Sequence, residues 1–377
     1  MDCDILIIGA GIIGAALAAE LSLRRYRVVV LEAGLPGAAT SAAGMGHLVV
    51  LDDNPAELAL ARDGVTRWQS CQDRLPTNVE YRTCGTLWLA RTREEMLEAE
   101  RKHTFYRAIN LPSQLLTAAA LYATEPHLAP GLAGALLRPD EAVIYPPTAV
   151  TWLLAQAQSR GTAVLSRQRV IDIAPNRVRT AEGRIWHAEQ IVVAAGNVSP
   201  HLLPGLPMQP RKGQLVITER YPDYVRHQLV ALDYLQSAHS NTANSVAFNV
   251  QPRATGQLLI GSSRSFDDTG TQVDWPLISR MLTTAFSYLP GLAELQAIRT
   301  WTGFRPATPD KLPLLGRWPV AESIWLATGH EGLGITTALS SAALLADLID
   351  GQPSQIDPAP YCPSRFVPAS TQRKEMA

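Results

Sequence analysis

Asp4-Ile5-Leu6-Ile7-Ile8-Gly9-Ala10-Gly11-Ile12-Ile13-Gly14 is the stretch whose reading decides the fold. Ile5 to Ile8 are continuously apolar, as in a parallel strand covered on both faces. Gly9, Gly11 and Gly14 match GxGxxG: a tight turn, close approach of the backbone to a pyrophosphate, and close packing of helix on strand. Small residues from Ala15 to Leu23 read as a helix and Arg27 to Glu32 as a second strand, which completes a βαβ unit. The helix start would offer unpaired N–H groups and partial positive charge to phosphates. Glu32, followed by Ala33, stands at the spacing of a carboxylate that accepts a ribose hydroxyl. Gly9, Ala10, Gly11, Ile13, Gly14, Glu32 and Ala33 are therefore expected to hold a dinucleotide. This motif alone separates neither NAD from FAD.

Three segments further along favour a flavin. Thr40-Ser41-Ala42-Ala43-Gly44-Met45-Gly46 is a run of small residues, and Ser41, Gly44 and Met45 are expected to pass the pyrophosphate and ring system. Val193-Ala194-Ala195-Gly196 is a late apolar strand ending in small residues, so Ala195 and Gly196 suit a second strand-end contact. Val170, which ends an alternating run from Thr162, is expected at the same cofactor. Thr328-Gly329-His330-Glu331-Gly332-Leu333-Gly334-Ile335 is a glycine-rich turn ahead of a final helix, read as Ile335 to Ile349. Gly332, Leu333, Gly334 and Ile335 would put backbone N–H groups and a positive helix end beside the electron-rich region of a reduced flavin.

The 377 residues suffice for two lobes. A net charge of -1 gives no electrostatic reason to expect nucleic acid or an anionic membrane. Cys3, Cys71, Cys84 and Cys362 lack the spacing of a metal or dithiol site, so no metal and a reduced cytoplasmic setting are expected. The first strand leaves no room for a leader, and no apolar run reaches the roughly 20 residues of a membrane span. Helical spacing runs from Asn54 to Asp73 and from Arg93 to Ile109, and Thr148 to Ser159 reads as a helix capped near Thr148. Gly85 to Ala90, Gly213 to Thr218, Ser245 to Gln251 and Gln257 to Ser262 read as strands, the last three as an antiparallel sheet apart from the nucleotide-binding lobe, and after Arg305-Pro306 one strand remains, Ser323 to Ala327. Residues 1–79, 147–209 and 306–366 are assigned to the nucleotide lobe, 80–146 and 210–305 to the sheet lobe, and 367–377 to a tail. The fold class is thus α/β, a Rossmann-type domain joined to an antiparallel-sheet substrate domain.

Gly303-Phe304-Arg305-Pro306-Ala307-Thr308-Pro309-Asp310-Lys311-Leu312-Pro313-Leu314-Leu315-Gly316 and Pro210-Arg211-Lys212-Gly213-Gln214 complete the pattern. In this order the segments resemble the D-amino-acid oxidase family of FAD enzymes, from Ile5 to about Gly351. That family includes glycine oxidase, monomeric sarcosine oxidase and the β subunits of hydroxyproline and opine dehydrogenases. Ala43-Gly44-Met45-Gly46-His47 and the turn Gly329 to Gly334 look most like the β subunit of bacterial D-hydroxyproline dehydrogenase, with the flavin subunit of hydrogen cyanide synthase also similar. The resemblance implies an FAD lobe, a substrate lobe, and oxidation of the C–N bond of a small amino or imino acid by hydride transfer from Cα to flavin N5. Glycine and sarcosine stand behind proline-like D-amino acids as substrates, and the residues distinguish neither oxidase from dehydrogenase.

Arg305 matches the family's substrate-binding arginine, and its guanidinium suits a two-pronged grip on a carboxylate. His47 and His330 fall beside the cofactor segments, where an imidazole titrating near neutrality could assist amine deprotonation. Some relatives carry an Arg in the C-terminal turn; Glu331 stands there instead, as a contact for a substrate amine or hydroxyl or as an exposed turn acid. Tyr234 and His239 are expected in the substrate lobe. No Cys lies between Cys84 and Cys362, so FAD is expected to be held non-covalently rather than through a cysteine. Similar proteins work with partner subunits carrying further redox centres, which implies a hetero-oligomer that is cytoplasmic, or peripheral to a membrane through its electron acceptor. An NAD-dependent dehydrogenase and an electron-relay subunit without its own substrate remain the other readings.

Overall fold

The computed structural model describes residues 2–51, 54–232, 244–266 and 268–366. Its first sheet begins with the strand Cys3–Ile8, flanked in parallel by Val28–Leu31 and Ile185–Val193. Ala163–Leu165 extends it on one side, Ile324–Thr328 and then antiparallel Leu314–Arg317 on the other. Alternate residues of the first strand enter different cores, Ile5 and Ile7 on one face, Leu6 and Ile8 on the other. That two-sided burial is why its sequence is a continuous apolar run. Helices Ile12–Leu23, Pro146–Gln158 and Ala338–Ile349 pack together on the Ile5 face. The chain therefore returns at its end to the lobe in which it began.

Eight strands form the second sheet, in the order Ala297–Ala307, Gln209–Arg220, Gln257–Ser265, Asn244–Pro252, Gln228–Ala231, Thr86–Ala90, Gly134–Arg138, Gln114–Thr117. The three strands expected to form an antiparallel sheet pair that way, and the full sheet is mixed only where Gln228–Ala231 runs parallel to Thr86–Ala90. A long return from the first lobe brings these two strands together, so no hairpin dictates their direction. Helix Trp275–Tyr288 covers one face of this sheet. Helices Pro55–Cys71 and Arg93–Ala108 contribute Val65, Ala99 and Tyr106 to the core containing Trp88 and Val230.

Three local expectations are corrected. The helix expected to be capped near Thr148 starts at Pro146 after Tyr145, because proline supplies a preset first turn. The final helix starts at Ala338, since Leu333 to Thr337 first form a turn in which the Thr337 hydroxyl and amide both bond the Leu333 carbonyl. The arginine motif, expected to precede a single remaining strand, is itself part of the edge strand Ala297–Ala307, with two strands after it. Tyr234, His239 and the 367–377 tail lie outside the described residues.

Candidate active site

Two glycines make the first turn possible. Gly9 has a left-handed φ of +105°, and a Cβ there would sit 2.6 Å from the Ala194 carbonyl oxygen. A Cβ on Gly14 would overlap the Gly9 carbonyl, so the helix can approach the strand only without it. The Ala10 amide donates to Glu32 Oε2 at 2.8 Å, and Glu32 Oε1 accepts from the Gly34 amide at 2.7 Å. Ala33 follows as an exposed residue. Ser41 Oγ accepts from the Ile12 amide at 3.0 Å. Its helix ties the small-residue loop to the phosphate turn.

The C-terminal turn reaches the same place. Trp68, fully buried on helix Pro55–Cys71, donates Nε1–H to the Ile335 carbonyl at 3.0 Å. Thr336 Oγ1 donates to the His47 carbonyl at 2.9 Å and accepts from the Val49 amide at 3.3 Å. A Cβ at Gly64 would strike the Thr336 carbonyl, so glycine lets the helix lie directly on this turn. The second sheet locks on through Phe304, whose carbonyl accepts from Thr40 Oγ1 at 2.8 Å and Asn197 Nδ2 at 2.6 Å.

Between the two sheets lies a cleft with two communicating parts. One is lined by Ile12, Ser41, Gly44, Met45, Gly334 and Ile335 on the first lobe, and by Gly213, Gly303 and Arg305 on the second sheet. The other runs past Trp88, Gln228, Val230, Lys311 and Leu333. His47, Asn249, Arg264, Glu331 and Gly332 border both. The two glycine turns, over 300 residues apart in sequence, thus face one cavity. Ala195 lies against the Gly9 turn. Val170 opens the strand Val170–Ala174 and is buried in the apolar core on the Leu6 face, away from the cleft lining. Ile13 and Gly14 sit in the first turn of their helix.

The lining fits a dinucleotide with a planar ring. A Cβ on Gly11 would meet only Ser41 Oγ within 4 Å, and one on Gly196 or Gly332 would meet nothing, so backbone stands open to a ligand at three points. The Ile12–Leu23 helix has no side-chain cap from its N-cap residue, which leaves its positive end to a phosphate. His47 Nε2 is buried against the cavity without a partner among the described residues, as a group awaiting a bound molecule would be.

Arg305 lies on the cleft side of its strand. Its Nη1 donates to the Ser263 carbonyl at 3.2 Å, and its guanidinium lies flat on Gly213, where a Cβ would collide with it. Arg211, directly opposite on the neighbouring strand, pairs with Glu331. Glu331 is thus no loose turn acid: its carboxylate neutralises a buried guanidinium, and its amide holds the Pro306 carbonyl at 3.0 Å. The titration expected of the histidines is corrected. Burial pushes both His47 and His330 down to about 3, so each imidazole is neutral near pH 7. His330 also bonds Ser341 Oγ through Nε2 at 3.0 Å, which fixes it in the packing of the C-terminal helix.

Sequence reading missed the cleft residues of the second sheet: Gln228, Asn249, Ser262, Arg264 and Gly213. A signal existed, since Gln228 opens one apolar strand and Asn249 interrupts another, both at positions that prove to be buried. All four cysteines are free. Among the described residues there is no group of side chains arranged for a metal ion, and no helix is long and apolar enough to cross a membrane.

The family model described as DAO, FAD dependent oxidoreductase, matches residues 4–348. A glycine oxidase of Pseudomonas aeruginosa is 30% identical over 97% of this chain and 99% of its own length. The crystal structure of glycine oxidase from Geobacillus kaustophilus superposes with a TM-score of 0.87 at 27% identity, covering 97% of this chain and 99% of that one. A hydrogen cyanide synthase subunit of P. aeruginosa is 26% identical over 97% of this chain and 96% of its own. These matches remove the NAD reading in favour of FAD. The chain belongs to the DAO family of FAD-dependent oxidoreductases.

Proposed function

We propose that this protein oxidises the C–N bond of a small amino or imino acid to an imine, with D-hydroxyproline or a similar D-amino acid as its substrate. The observation that carries the reading is Arg305, held on the cleft face of the second sheet opposite the two glycine turns. A guanidinium there would grip the substrate carboxylate through parallel N–H···O bonds and so fix the α-carbon. When bound, FAD supplies the acceptor for the hydride that leaves this carbon. The amine loses its proton to solvent, and water then hydrolyses the released imine.

The chain's own residues mainly bind and orient. His47 borders the cleft as a neutral imidazole, which makes it a hydrogen-bonding wall rather than a strong proton acceptor. The substrate amine must therefore shed its proton without a histidine base, and turnover should rise with pH as the free amine becomes more abundant. Gly9, Gly11, Gly14, Glu32, Ser41, Gly44, Met45 and the turn Gly332 to Ile335 are assigned to FAD, held without a covalent link. Glycine is the second reading, favoured by the glycine oxidase relatives. Anaerobic mixing of the yellow protein with small D- and L-amino acids, proline derivatives, glycine and sarcosine tests both. Bleaching by D-hydroxyproline ahead of glycine is expected; bleaching by none of them refutes amine oxidation.

A further inference from the structure

Gln228 and Asn249 stand on adjacent strands of the second sheet and border the inner part of the cleft. Their relative exposures are 1% and 3%, yet Gln228 Oε1 and Asn249 Oδ1 have no hydrogen-bond partner among the described residues. Burying one such amide oxygen unpaired costs about 1–3 kcal/mol. A fold that places two of them at one chamber has a molecule to satisfy them. The rest of the wall decides what that molecule brings. Val49, Leu51, Trp88 and Val230 are apolar, and Glu331 is already paired with Arg211. An aliphatic side chain would leave both amides unsatisfied.

We infer that the inner chamber is a side-chain subsite for a hydroxyl-bearing amino or imino acid, with Gln228 and Asn249 as its specificity-determining residues. A hydroxyl both donates and accepts, so it satisfies a carboxamide whichever way the amide is turned. Arg305 and the amide pair then read the two ends of one substrate, carboxylate at one and hydroxyl at the other. Glycine has no atom to offer the second end. This assignment rests on the proposed amine oxidation for its substrate, although the chamber's preference for a hydroxyl can be measured without any reaction.

Two measurements on the FAD-loaded protein test it. The first is anaerobic reduction by matched pairs that differ only in the hydroxyl: hydroxyproline and proline, threonine and 2-aminobutyrate, serine and alanine, in both enantiomers. At least a tenfold advantage in reduction rate over Kd is expected for the hydroxylated member of the preferred pair, because a site built for a hydroxyl strongly rejects the analogue without it. Asn249→Leu and Gln228→Met should bring that ratio to about one. The second is thermal stabilisation by cyclopentanecarboxylate and its 3-hydroxy derivative, neither of which can be oxidised at nitrogen. Tighter binding of the hydroxy compound is expected, and its loss in the two variants. Equal behaviour within both sets overturns the subsite and leaves amine oxidation standing. Selective binding of the hydroxy carboxylate with no reduction by any amine overturns the oxidation and leaves the subsite. Should either variant fail to fold, the wild-type pairs alone decide.

Discussion

Gly213→Ala probes Arg305 without touching it. An added Cβ would lie 2.8 Å from Arg305 Nη2 and 2.9 Å from Cζ, whereas carbon contacts settle near about 3.5–4.0 Å. Nη1 would lie closer still, so the guanidinium must move by roughly 1 Å or more, which it can do because it is the far end of a flexible side chain. The strand itself is extended at this position and tolerates alanine. A misplacement of that size at a substrate clamp costs about 10²-fold. We expect a 10- to 100-fold loss (about 1.4–2.8 kcal/mol) in flavin reduction rate over Kd, with stability changed by less than about 1 kcal/mol. Stopped-flow reduction reads the first, thermal unfolding the second, and the FAD absorbance ratio confirms that cofactor is retained. A variant that folds, keeps FAD and reduces at the wild-type rate, with an unchanged Kd for a carboxylate lacking an amine, would show that Arg305 does not hold the substrate.

Further outcomes follow from other contacts. Arg305→Lys replaces a two-pronged grip by a point charge and should lose about 2–3 kcal/mol of substrate binding, seen as a rise of roughly 30- to 150-fold in Kd. Gly14→Ala sets a Cβ against the Gly9 carbonyl, backbone on backbone, and should yield protein purified without its yellow colour. Glu141 is fully buried, its Oε1 accepting from the Val50 amide at 2.9 Å, and burial pushes its carboxyl from 4.5 up to about 7. The folded state therefore holds this proton more tightly than the unfolded one, so stability falls as pH rises from about 4.5 through 7. Denaturant unfolding between pH 5 and 8 should show that slope in wild type and a shallower one in Glu141→Gln; equal slopes would refute it.

The candidate cofactor turn was legible in the sequence because its signal is local. Gly9, Gly11 and Gly14 fall within six residues of one another, and a Cβ on Gly14 would strike the Gly9 carbonyl of the same unit. The strand Ala297–Ala307 was harder: Gly303 and Pro306 weaken any strand pattern, and its place is set by pairing with Gln209–Arg220, nearly ninety residues earlier. The substrate wall was illegible for a stronger reason. Trp88, Gln228, Asn249, Arg264 and Arg305 come from five strands, and only the registers between those strands decide which residues face the cleft together. A single strand reveals alternation but not the partner across the cavity. Likewise, His47 and His330 have the residue type of a pH 7 proton carrier, and burial removes the property.

That division has a consequence for how the protein can change. The glycine turns are fixed by backbone collisions and by Trp68 and Thr336, whose partners are main-chain carbonyls and an amide. Nothing in that interlock depends on the identity of the residues at 228 or 249, which face the chamber from the other sheet. Substitutions there should alter the ranking of substrates while FAD affinity stays constant, whereas substitutions at Gly9 or Gly14 should lower FAD affinity for every substrate alike. Measuring both quantities across the same variants separates the two halves. If Gln228→Met or Asn249→Leu loosened FAD as much as it altered substrate ranking, the amides would be supporting the cofactor, and the separation argued from the two sheets would be wrong.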